Sequence, residues 1–354
     1  MKTFQEFNNT KHFPNLDLFR ALSIILVMLH HSFIPNKMLE TLMHNGNHGV
    51  SLFFLISGFL ITTLLIREKN KGSINIKKFL IRRGLRIYPL YYTVLAIYFV
   101  AINVFGFYSP DNRLAFNDFL YAHLFYLSNL MPIYGPFFFS WSLATEEQFY
   151  LIFSILIKKF KQMNLIRYLL GIIIIKVSFY YLIYAKNSQD PYVNFIHYFL
   201  RIFQESIILG VVLALLMAKE SSYKFLRNLT SKLIIPATII IITLLLFFTI
   251  GRHSTINSQL YNLCFVLIVF YSVTSKSFSR YIGKTLYEVF SYIGLISYGI
   301  YLFHMPIGNA LNNLKFTESF MIFFTSWVLL VVVIASLSYE LFEKRFIKLK
   351  KRFY

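Results

Sequence analysis

Long apolar runs recur along almost the whole chain, separated by short polar stretches. A helix needs about 20 mostly apolar residues to cross a hydrocarbon core of roughly 30 Å. Ten segments fit that length: 16–36, 49–66, 85–106, 138–157, 165–185, 197–218, 233–250, 257–274, 291–311 and 318–341. An eleventh, 117–133, is interrupted by Asp118, His123, Asn129 and Pro132. The pattern predicts an all-α integral membrane protein with about ten transmembrane helices.

Composition narrows the class. Of 354 residues, 57% are hydrophobic and only 14% are charged, against about 25% charged in a soluble domain. An ordinary soluble enzyme and a disordered chain are excluded. The apolar segments leave no room for a soluble appendage, so residues 1–354 are expected to form one membrane-embedded domain. Lys2 and Lys11 ahead of the run Ala21–Leu29 imitate a signal peptide, but His30 and His31 follow without a small-x-small cleavage pattern. The run is therefore read as a retained first span. A lone cysteine, Cys264, allows neither an internal disulfide nor a cysteine-based metal site.

The net charge of +20 suggests nucleic acid until the charges are placed. With ten spans and a cytoplasmic N-terminus, 28 Lys and Arg fall in cytoplasmic segments and 5 in external loops. This is the positive-inside asymmetry. It predicts both termini in the cytoplasm. It also predicts that 117–133 is an external re-entrant or interfacial element, because a further crossing would carry Lys158, Lys159 and Lys161 outside. The basic charge is orientation charge with membrane lipid as its partner, and nucleic acid drops out.

Ionisable groups inside spans are functional candidates by default. Arg20 and His31 are eleven residues apart, so they lie within about 20° of each other around a helix and ~16 Å apart along it. Asp17 is one turn before Arg20, and His30 points about 80° away. Arg20 then sits near the cytoplasmic boundary and His31 in the outer half. Arg82, Arg83 and Arg86 open the third span, where planar guanidinium groups suit phosphate and equally serve as topology signal. Trp141 and Ser142 lead into Glu146, Glu147 and Tyr150, two adjacent carboxylates that are costly to bury unless paired. Tyr301 and His304 lie in the ninth span. Arg201 and Glu205, four residues apart, are expected to neutralise each other. No metal site is expected.

Together these motifs resemble the acyltransferase-3 family of membrane O-acyltransferases. The resemblance rests on Leu16–Leu22 running on to His31, on Phe54–Leu60, on Arg82–Pro89, on Trp141–Leu143 with Glu146–Tyr150, and on Ile296–Pro306. It covers about residues 12–345. It implies that Arg20 and His31 form a functional pair and that Arg83 and Arg86, with Arg82 beside them, take the phosphates of acyl-CoA. Acyl-CoA would be the donor substrate, acetyl-CoA by family habit, with no permanently bound cofactor. The acceptor would be a hydroxyl of a cell-surface polysaccharide or glycolipid, and the place the cytoplasmic membrane of a bacterium. The family's appended esterase-like domain is not expected here, so all transfer chemistry would lie in the membrane.

Given that resemblance, the depths of Arg20 and His31 along the helix suggest that the pantetheine arm would rise beside the Arg20 face and bring the thioester to His31. His31 would act as general base on an acceptor hydroxyl or as a nucleophile forming an acyl-imidazole. Glu146 or Glu147 would orient the imidazole or hold a sugar. Asp17, His30, Trp141, Ser142, Tyr150, Tyr301 and His304 would line the substrate path. The rival reading is a transporter or flippase of a phosphorylated or lipid-linked sugar, using the same basic mouth without acyl chemistry. Release of CoA from acyl-CoA by the reconstituted protein discriminates the two.

Overall fold

The computed structural model describes residues 1–184, 186–230, 234–249, 255–276 and 282–353. Arg252, counted above as external, and the two ends of span 233–250 lie outside the described residues. Every regular element among the described residues is helical. The chain forms two compact units, one from Met1–Thr63 with Leu209–Tyr339 and one from Leu64–Ile208 with Glu340–Tyr354.

Among the described residues, five helical stretches are long and apolar enough to cross a membrane: Lys37–Asn70, Ile76–Asn103, Gln162–Tyr184, Pro191–Met217 with an interruption after Leu200, and Phe320–Phe353. Their surfaces are apolar where a soluble protein would be polar; Ile174 and Ile175, for example, are each 65% exposed. The ten expected spans are not all of this kind. Pro14–His30 has only 17 residues. Trp141–Lys159 carries Glu146, Glu147, Lys158 and Lys159. Ser258–Thr274 and Thr238–Phe247 are shorter apolar helices. The ninth expected span, 291–311, is not one straight rod. It is a pair of helices, Lys284–Leu295 and Ser297–Asn313, bent by 72°. Segment 117–133 holds only Leu120–Leu124 and a single 3₁₀ turn, Ser128–Leu130, after the end of Pro110–Asp118. None of these is long enough to cross.

In the first unit, helix Phe4–Asn9 starts with a capping box. Thr3 accepts from the Glu6 N–H at 3.2 Å and its own N–H donates to the Glu6 carboxylate at 2.7 Å. Phe7 is buried against Phe13 and Tyr223. Pro14 then opens Pro14–His30, at the turn where its missing N–H is harmless. The buried positions Leu16, Ala21, Ile24, Val27 and Met28 face the core. The helix ends because the chain turns toward Pro35. His31 leaves helical geometry at φ −91°, ψ 15°, while its N–H still reaches the Val27 carbonyl at 3.0 Å. Asn36 begins the next turn by accepting from the N–H groups of Met38 and Leu39.

Lys284–Leu295 packs backbone to backbone on Pro14–His30. A Cβ on Gly294 would overlap the Asp17 carbonyl. Gly294→Ala should therefore force the two helices apart and destabilise the protein by about 1–3 kcal/mol. A thermal unfolding midpoint in detergent equal to that of the unchanged protein would refute this close approach.

In the second unit, Asn75 caps Ile76–Asn103 by accepting from the Lys78 N–H. Tyr91, Tyr98, Phe137 and Phe139 pack together as a buried aromatic cluster.

Candidate active site

In the first unit, the expected site residues lie toward the two ends of Pro14–His30. At the N-terminal end, Asp17 is buried and accepts from Arg20 Nη1 at 3.0 Å, while its other oxygen meets His12 Nε2 at 2.8 Å. Nearby, Asn15 donates to the Ser272 carbonyl at 2.7 Å and accepts from Tyr287 Oη at 2.8 Å. Arg20 is thus held by Asp17, one turn back on its own helix.

At the other end, His31 Nδ1 lies 2.9 Å from His304 Nε2. His304 is fully buried, and its Nδ1 lies 2.5 Å from the Tyr301 carbonyl oxygen. Trp327 Nε1 donates to the His304 carbonyl at 2.8 Å. His30 turns aside, as its angle predicts, and its Nδ1 meets the Met43 carbonyl at 3.0 Å. A cleft of about 340 Å³ opens beside it, lined by His30, Pro35, Asn36, Lys37, Glu40, Met43 and His44. Hydrogen-bonding groups of both kinds line this cleft.

The second unit holds the remaining candidates. Arg82 pairs with Glu68 and donates to the Phe353 carbonyl at 2.9 Å. The Arg83 guanidinium lies over the Tyr150 ring at 5.4 Å and the Phe79 ring at 6.0 Å. Tyr150 Oη donates to Glu146 at 3.0 Å, and Tyr88 Oη donates to Glu147 at 2.9 Å. The second oxygen of Glu147 is buried and accepts no hydrogen bond. The basic C-terminal turn Lys350–Phe353 packs along Ile76–Asn103, and the charges of Arg82, Arg83 and Arg86 act on Lys350. Ser142 caps locally, donating to the Phe139 carbonyl at 3.3 Å.

One expected pairing is wrong. Glu205 does not neutralise Arg201. Lys176 Nζ takes Glu205 at 3.2 Å, and also the Phe203 carbonyl at 3.0 Å. Arg201 instead lies over Trp141 at 5.5 Å and Tyr198 at 5.3 Å. Helix Pro191–Leu200 stops at Arg201, so the i, i+4 geometry the spacing assumed does not form. This also accounts for Lys176, a mid-span cation with no evident sequence partner.

Sequence reasoning passed over Tyr88 and Gln148. Gln148 and Asn129 exchange amide hydrogen bonds at 2.8 and 2.9 Å, which fixes turn Ser128–Leu130 on Trp141–Lys159. Tyr88 and Gln148 both lie inside segments that carry the resemblance, Arg82–Pro89 and Glu146–Tyr150, but the resemblance gives neither a role. His123, in the non-crossing segment, is buried with Nδ1 2.9 Å from Ser140 Oγ. Burial pushes it down to about 4, so it is neutral in the folded protein near pH 7. The unfolded chain takes up that proton more readily, so this segment should lose stability as pH falls from about 6.5 toward 4.

An all-helical chain with several bilayer-length helices, and with histidines, arginines and carboxylates held among them, is a multi-pass membrane protein. It belongs to the acyltransferase-3 family, whose model, described as an acyltransferase domain, matches residues 13–340. The chain is 28% identical over 371 aligned residues to Putative O-acetyltransferase SACOL0978 of Staphylococcus aureus strain COL, covering 98% of this chain and 59% of that protein. It is 26% identical over 366 aligned residues to the O-acetyltransferase OatA of Staphylococcus aureus strain NCTC 8325 / PS 47, covering 97% of this chain and 58% of that protein. The chain thus spans less than two thirds of the length of these curated relatives. No solved structure matches it.

Proposed function

We propose that the protein transfers an acyl group, acetyl in the first instance, from acyl-CoA to a hydroxyl of an extracytoplasmic cell-surface polysaccharide or glycolipid, in the cytoplasmic membrane of a bacterium. The observation that carries this reading is His31, released from the end of its helix into contact with His304, in a chain of this family. Relatives named O-acetyltransferase supply the acetyl group. Arg83 and Arg86 are assigned the donor's phosphates. Glu146 and Glu147 are assigned the acceptor or the orientation of the reacting groups.

In the general-base route, the acceptor hydroxyl gives its proton to His31 as its oxygen attacks the thioester carbonyl. The C–S bond breaks as the new C–O ester forms, and the proton passes on to the leaving CoA thiolate. In the nucleophilic route, His31 attacks the thioester carbonyl itself, the C–S bond breaks and CoA thiolate leaves. The acceptor oxygen then forms the ester as the C–N bond to the imidazole breaks, and the acceptor's proton passes by way of the freed imidazole to the CoA thiolate. Incubation of proteoliposomes with acetyl-CoA and a hydroxyl acceptor tests the reading. CoA thiol should be released in step with ester formed. Uptake of a glycolipid without any thiol release would instead support the transporter.

A further inference from the structure

We infer that His304 is the positioning residue for His31: it accepts the Nδ1–H of His31 and so holds the neutral imidazole as the tautomer whose lone pair is on Nε2. This rests on the reading of His31 as the reacting histidine.

The chain of donors leaves one arrangement. The Tyr301 carbonyl oxygen can only accept, so His304 Nδ1, 2.5 Å away, carries a proton. In a neutral ring the other nitrogen is then an acceptor. His304 Nε2 is that acceptor, and His31 Nδ1 faces it at 2.9 Å, so His31 Nδ1 carries a proton. Its Nε2 is left as the basic nitrogen. The rings lie 22° from parallel with centroids 5.1 Å apart. That separation is what two imidazoles joined nitrogen to nitrogen in one plane give, and ring lone pairs point within that plane.

The opposite arrangement would need two protons on His304, a cation in a fully buried site. Protonation of His31 during turnover leaves the contact intact, because Nδ1 donates in both states. His304 therefore serves the resting base and its conjugate acid alike. Its own position is fixed from its backbone, through the Trp327 indole N–H on its carbonyl at 2.8 Å. A carbonyl or carboxylate usually does this work for a catalytic histidine. Here a second histidine does it, relaying the demand of the Tyr301 carbonyl.

The test compares His304→Leu and His304→Gln in washed membranes given radiolabelled acetyl-CoA, at matched protein abundance. The Gln amide oxygen stands about where Nε2 stood and can accept from His31. His304→Leu should lower turnover about 10-fold to 100-fold, the range seen when the outer partner of a metal-bound histidine is lost, with KM for acetyl-CoA unchanged. His304→Gln should recover most of that loss. Nitrogen-15 spectra of histidine-labelled protein should show His31 protonated at Nδ1, and a mixture of tautomers in His304→Leu. Equal activity of the two variants, or a His31 protonated at Nε2 in the unchanged protein, would overturn the inference. His31→Ala in the same assay separates the two levels. Full activity there overturns the acyl-transfer reading itself, whereas an inactive His31→Ala beside a fully active His304→Leu overturns only the role of His304.

Discussion

His31→Ala is expected to abolish detectable transfer, a loss of about 10² to 10⁴ in rate, with the protein still present in the membrane at normal abundance. The fold leans on this side chain only through its contact with the buried His304. Pro14–His30 is held by its buried face, Leu16, Ala21, Ile24, Val27 and Met28, and by the approach of Gly294 to the Asp17 backbone. His31 lies past the last helical residue. His30→Ala should retain more activity, because its Nδ1 is directed to the Met43 carbonyl. Its ring still lies 5.2 Å from that of His31, so some loss is expected from altered packing. Arg20→Ala should also impair transfer, since it removes the cation that Asp17 holds. The measurement is label incorporated from acetyl-CoA per unit of membrane protein. An active His31→Ala would refute the mechanism and favour transport.

Replacing Arg83 and Arg86 together by Ala should raise KM for acetyl-CoA at least about tenfold. A hydrogen bond to a charged group contributes roughly 1.5–3 kcal/mol, which is of the order of 10-fold to 100-fold for each arginine that touches phosphate. Topology should survive, because six of the eight Lys and Arg residues of segment 67–86 remain. Lys at both positions should restore the charge but not the affinity, for lack of the planar fork. Arg82→Ala should behave differently. Arg82 is engaged by Glu68 and by the Phe353 carbonyl, so its loss should loosen the C-terminal turn. An unchanged KM in the Arg83, Arg86 double variant would return those residues to orientation charge alone.

Periodicity made some of this legible and hid the rest. Helical spacing put His30 and His31 on different faces, and they do take different partners. It could not supply the partner of His31, which lies 273 residues away. Nothing in a local window links Ile296–Pro306 to the end of Pro14–His30. The same limit explains Lys176 and Glu205, which pair across a helix break, and Tyr88 and Glu147, which are 59 residues apart. Hydropathy found the apolar segments, yet it counts residues rather than directions. The 72° bend at Ile296 therefore looked like a straight span, since a bent apolar pair and a straight apolar rod have the same composition. The short elements between 117 and 133 were foreseeable, because the polar residues there leave no continuous apolar run.

The brevity of Pro14–His30 carries a consequence for the membrane around it. Seventeen residues rise only ~26 Å, about 4 Å less than a typical hydrocarbon core. Where Pro14–His30 spans the bilayer, the shortfall would be a hydrophobic mismatch, relieved by local thinning of the bilayer at a fraction of a kcal/mol per Å. The leaflet would dimple where the helix hands over to His30 and His31, drawing headgroups and water down to the imidazoles. Lipid chain length would thus become a parameter of the proposed transfer. Turnover should fall when the protein is moved from short-chain to long-chain phosphatidylcholine, as the histidine pair sinks beneath a thicker layer.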